Sequence, residues 1–116
     1  MEAKRCAILR IYVMRYEWDD RKNRQNQLKH DGIPFEMPAL VFMDAACVVA
    51  TDRTDASGEQ RWHAIGTARI AGEAVAVLLV VHAYGEDIDG EEVIRIVSAR
   101  RAEKHEVRRY REQAVE

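Results

Sequence analysis

The chain has 116 residues, 47% of them hydrophobic and 33% charged, with a formal net charge of -2; this length suits one domain with an ordinary core, and the composition excludes wholesale disorder. Its longest apolar run, Ala74 to Val81, is far short of the ~20 residues that cross a bilayer as a helix, and Arg10 and Arg15 interrupt the start where a secretory signal needs a clean apolar stretch. Cys6 and Cys47 stand in no CxxC or CxxC…H pattern, so no disulfide framework, zinc site or other metal is expected, and a reducing cytosol is the expected compartment. In chain order, β-branched and aromatic residues predict a strand inside Ile11 to Trp18. Asp19 or Asp20 then caps a helix that runs to Lys29, before the turn residues Asp31, Gly32 and Pro34. Leu28 is the only aliphatic residue between Asp19 and Gly32, so burial is not what this helix is for. Lys22, Asn26 and Lys29, with Asn23 and His30 beside them, form a stripe of donors on it.

Pro34 suits the first turn of a short second helix whose apolar contacts are Phe35, Ala39, Leu40, Val41 and Phe42. Four strands follow, at Ala46 to Thr51, Arg61 to Thr67, Ala74 to His82 and Glu92 to Ser98. Polar or glycine-containing connections separate them and favour an antiparallel meander. From Ala99 the pattern turns helical, with a thin apolar stripe of Ala99, Ala102, Val107, Tyr110 and Ala114. Arg101, Lys104, His105 and Arg108 make a cationic face on this last helix. The order βααββββα predicts an α+β domain: an antiparallel four- to five-stranded sheet packed with two N-terminal helices and one C-terminal helix.

Charge is segregated along the chain. Residues 1–30 carry 8 basic and 4 acidic side chains, residues 31–93 carry 3 and 12, and residues 94–116 carry 7 and 4. If the two basic ends meet, they build an anion-binding surface that the overall charge conceals; as solvated helix faces they need no ligand. Within such a surface His82, which titrates near neutrality, is the leading group for proton transfer, against the commoner structural role of a lone histidine. Arg95 interrupts the aliphatic run VIRIV and needs an anionic partner, either a carboxylate of the acidic middle block or an RNA phosphate. Arg100 and Arg101 fall at a strand-to-helix junction, where free backbone N–H groups also favour an anion. Arg61 and His63 share a strand face behind Glu59, a base or a salt-bridge partner. Lys29 and His30 suit a helix C-terminus, and Tyr110 either packs or stacks a base. The acidic run Glu86 to Glu92 lacks an EF-hand pattern and reads as a solvated turn.

The segments YEWDDRKNRQNQLKHDGIPFEMPALVF, GEQRWHAIG, LLVVH and VIRIVSARRAEKHEVRRY resemble the BrnT family of toxins, most specifically in the WD-xx-KN-xx-N-xx-KH spacing from Trp18 to His30 and in IRIVSARRA. The resemblance implies a RelE/ParE-like fold and a cytoplasmic endoribonuclease that arrests translation; because RNA can be cleaved by attack of its own 2′-OH, no metal or cofactor is expected. It also implies neutralisation by a cognate ribbon-helix-helix antitoxin, with DNA reached only through that antitoxin and the toxin present as one copy or a dimer in the complex. With the side-chain chemistry above, His82, Arg61, Arg95 and Arg100 are the candidate catalytic residues and Arg101 and Tyr110 candidate RNA contacts, and the resemblance moves Asn26, Lys29 and His30 toward contact with RNA or the antitoxin. Asp31 is an insertion against the family pattern, and the hairpin HAYGEDIDGEEVIRI is longer, more acidic and without the usual arginine before its glycine. Residues 15–111 form the toxin-like domain. Residues 1–14 precede the usual start, which makes Met14 the candidate initiator.

Overall fold

The computed structural model describes residues 3–5, 15–29, 33–69 and 75–114. Six strands form one sheet: β1 (Ala3–Arg5), β2 (Arg15–Trp18), β3 (Val48–Thr54), β4 (Gln60–Arg69), β5 (Val75–Glu86) and β6 (Glu92–Arg101), in the order β1-β3-β4-β5-β6-β2. The α+β class holds, but the sheet is mixed. β2 runs parallel to β6, with Arg15 opposite Val93 and Trp18 opposite Ile96. The two are far apart in sequence, and helix α1 (Asp20–Lys29) leaves β2 directly, so no hairpin forces them antiparallel. Five strands make the body of the sheet, and the three-residue β1 adds a sixth at its edge. The expected residues 1–14 extension otherwise lies outside the described residues, as do His30 and the inserted Asp31.

α1 begins where the sequence places it. The Asp19 carboxylate accepts from the backbone N–H of Arg21 at 2.8 Å and of Lys22 at 3.2 Å, satisfying donors that a helix start leaves without partners. The second helix is a 3-10 turn, Pro38–Met43, and Pro34 sits in the bend before it. It presses on β4 at Gly66, where an added Cβ would lie 2.9 Å from Val41 Cγ1 and 3.2 Å from the Val41 carbonyl oxygen. The last helix, α2 (Lys104–Ala114), starts five residues later than the apolar stripe suggests, because β6 continues through Arg100 and Arg101.

One face of the sheet carries the main core: Val49, Ala64, Leu78, Val80, Ile94, Ile96 and Ala99, closed by Ile33, Phe35 and Val41. Cys47 is buried and disulfide-bonded, where the cysteine spacing implied no disulfide framework, so cysteine usage no longer argues for a reducing compartment. Two hairpin turns share one sequence pattern, Asp55 to Glu59 (DASGE) and Asp87 to Glu91 (DIDGE). In each, the aspartate side chain accepts from the backbone N–H two and four residues on. Glycine supplies the positive φ, 90° at Gly58 and 79° at Gly90, which other residues adopt only under strain. No helix among the described residues is long and apolar enough to cross a membrane.

Candidate nucleic-acid interface

A bulge in β6 decides which arginines stand together. Arg95 and Arg100 are five residues apart, and strict alternation would put them on opposite faces of the sheet. The register to β5 shifts between Val81, opposite Ser98, and His82, opposite Ile96. The extra residue, Val97, reverses the parity. Arg95, opposite Ala83, and Arg100, opposite Leu79, therefore share the face away from the main core, and Val97 does not follow Arg95 as plain alternation expects. His63, opposite Val81, and Arg61 are on that face too.

Each of these cations has an anionic partner within the protein. Arg61 meets Asp55 at 2.8 Å and Glu59 at 3.7 Å, and Arg95 pairs with the same Glu59. His63 Nε2 lies 3.1 Å from Asp52. The Asp55 carboxyl is lowered to about 2, first by the Ser57 hydroxyl that donates to it and then by backbone N–H groups and Arg61, against the effect of desolvation. Four residues along β5, or about 13 Å at strand rise, Arg100 makes a two-pronged pair with Glu106 of α2 at 2.7 and 2.9 Å. Glu106 also accepts from the Glu103 backbone N–H at 2.7 Å. The anion expected at the strand-to-helix junction is thus the protein's own carboxylate, and the Glu106 pair raises the Arg100 guanidinium further.

His82 is on the other face and is fully buried. Its ring is packed edge-on between Phe42 at 4.8 Å and Tyr84 at 5.0 Å. Nδ1 has only a long 3.5 Å contact to the Val80 carbonyl, and Nε2 has no partner among the described residues. Burial, with a smaller contribution from His63, lowers its pKa to about 4. In this conformation His82 is a neutral packing group with no path to a dissolved substrate.

Asn26 is buried as well. Its side chain accepts from Ala99 N–H at 3.0 Å and donates to Ala99 C=O at 2.8 Å. It continues the hydrogen-bond ladder along the edge of β6 beyond the last β2 pair, so its amide belongs to the fold and is not exposed to RNA. Tyr110 donates its hydroxyl to Asp44 at 2.7 Å, a strut from α2 to the loop before β3 in place of a stacking surface. Lys29 is exposed at the end of α1, and Arg101 is exposed at the end of β6. Sequence reasoning missed Asp44, whose carboxylate also accepts from the Thr67 backbone N–H and hydroxyl, each at 2.9 Å; the only signal was its place just after an apolar run.

The family model described as ribonuclease toxin, BrnT, of type II toxin-antitoxin system matches residues 18–106. This chain belongs to the BrnT family. Membership of the BrnT family makes it a ribonuclease toxin, with RNA as substrate class and an antitoxin as partner. No curated protein matches the chain. The BrnT match spans α1, the 3-10 turn, the strands β3 to β6 and the beginning of α2, and so contains both arginine clusters.

Proposed function

We propose that this BrnT-family toxin is a metal-independent endoribonuclease of RelE/ParE-like architecture that acts in the cytoplasm, arrests translation and is neutralised by a ribbon-helix-helix antitoxin. The observation that carries the reading is the convergence of Arg61 and Arg95, from two different strands, on the single carboxylate of Glu59. RNA cleaves without a metal when its 2′-OH attacks the adjacent phosphate, a base takes the hydroxyl proton, an acid protonates the leaving 5′-oxygen and cations stabilise the charge that develops. Here Glu59 takes the proton and the two guanidiniums turn from it to the phosphate. His63, oriented by Asp52 on the same face, protonates the leaving oxygen in place of the buried His82. Arg100 holds a neighbouring phosphate, and Lys29 and Arg101 steer the strand from outside.

The test is cleavage of a single-stranded RNA in excess EDTA, with the product ends identified. The expected products end in a 2′,3′-cyclic phosphate and a 5′-hydroxyl, and Arg95→Ala and Glu59→Gln each lower the rate by about a hundredfold or more. Wild-type rates in both variants would remove this site, and inhibition by EDTA would remove metal independence. The burial of His82 favours one alternative, a non-catalytic toxin acting on a protein target; RNA left intact by folded wild-type protein selects it.

A further inference from the structure

Arg61, Arg95 and Arg100, the arginines gathered on the sheet, each have a carboxylate partner, and other exposed cations are open to a polyanion. On α2, Lys104, Arg108, Arg109 and Arg111 are exposed, and none makes an ion pair with another described residue. Three of them are neighbours. At 100° per residue, Lys104, Arg108 and Arg111 fall within about 60° of one another around the helix, whereas Arg109 points to another side. They line an open groove of about 510 Å³ with Ala102, Val107 and Glu112. The groove starts next to the end of β6, where Arg100 and Arg101 stand.

We propose that this groove on α2 is a binding track for the sugar-phosphate backbone of single-stranded RNA, outside the cleavage site and leading to it; the proposal rests on the ribonuclease reading. From Lys104 to Arg111 the helix rises about 10 Å, the reach of roughly three phosphates at 3.4 Å of axis per nucleotide in a stacked strand. The apolar floor of Ala102 and Val107 gives the ribose side of such a strand a surface without competing donors. Glu112 closes the far end with the wrong charge for phosphate and sets the length of the track. A row of unpaired cations at repeat spacing fits a regular polyanion better than an acidic peptide, whose carboxylates have no fixed repeat unless it folds.

The experiment measures binding of a fluorescent 2′-O-methyl RNA, which the reaction cannot cleave, to the full chain by anisotropy across a range of salt concentrations. An Arg108→Ala, Arg111→Ala double variant is expected to bind about tenfold more weakly, with a log–log salt slope shallower by about 1.4, two contacts at roughly 0.7 each for a single strand. Arg109→Ala, one charge lost from another side of the same helix, is expected to stay within twofold. Equal losses per charge at Arg109 and in the groove would overturn the track, because only net charge would then matter. So would wild-type binding by the double variant, or displacement of the RNA by poly-glutamate as effectively as by unlabelled RNA at equal charge. A wild-type protein that cuts no unmodified RNA but binds through the groove loses the cleavage reading and keeps the track.

Discussion

His82 illustrates how far a side chain's surroundings override its chemical type. An imidazole with an ordinary pKa near 6.5 is lowered to about 4, first by burial, because taking the ring out of solvent disfavours its charged form. The unfolded chain therefore binds a proton between about pH 6.5 and 4 that the folded chain refuses, and stability falls as pH falls through that window. The size of the effect is about 3 kcal/mol. Urea unfolding at pH 7 and pH 4.5 should show this loss, and His82→Leu should remove most of the difference; an unchanged pH dependence would contradict the burial. The Asp44 carboxyl also contributes, but lower down. Burial acts to raise it, the hydrogen bonds from Tyr110, Thr67 and Ala46 together outweigh that, and the net direction is downward. Its contribution is thus present above the ordinary carboxylate pKa and is lost as pH falls through the lower folded value, below the histidine window. Asn26→Ala strands the N–H and C=O of Ala99 in the buried edge of β6 and should cost about 2 to 3 kcal/mol in the same unfolding assay.

At the scale of elements, Asp44 joins the 3-10 turn, β4 and α2, since its two oxygens hold Ala46, Thr67 and Tyr110. Tyr110→Phe removes one of these bonds and should lower stability by about 1 kcal/mol without affecting RNA binding, whereas a stacking tyrosine would lose affinity and little stability. Gly66→Ala should cost about 1 to 3 kcal/mol, because the new methyl meets Val41, including its backbone oxygen, and the turn must shift. The local parts of this arrangement were legible in the sequence: the Asp19 cap, the apolar strand AVAVLLVV, the Gly58 and Gly90 turns as polar loops, and the meander from β3 to β6. Three features were not. The parallel pairing of β2 with β6 joins residues nearly eighty positions apart, and no periodicity in either strand encodes its partner. The Val97 bulge leaves alternation intact on each side and shows only as register. The reach of Glu59 to Arg95, like that of Glu106 to Arg100, depends on which loop folds over which strand, so the sequence left open whether Arg95 meets a carboxylate or a phosphate.

For the molecule as a whole, the segregated charge resolves into two populations. The acidic side chains that meet sheet arginines come from the β3–β4 and β5–β6 turns and from α2, while Lys104, Arg108, Arg109 and Arg111 of α2 make no ion pair with another described residue. On the proposed reading, RNA is attracted first by α2 and reaches the sheet only by exchanging its phosphates for carboxylates already in place. Partly exposed ion pairs of this kind are individually weak, so the exchange costs little. Glu106→Gln tests the arrangement, because it keeps an oxygen for the Glu103 N–H and removes only the charge opposite Arg100. The variant should bind uncleavable RNA several-fold more tightly, with a salt slope steeper by about 0.7, the signature of one additional phosphate contact. Loss of the charged pair should lower stability by no more than about 1 kcal/mol. An unchanged slope in a folded variant would mean that Arg100 never meets the backbone of RNA and serves only to hold α2 against the sheet.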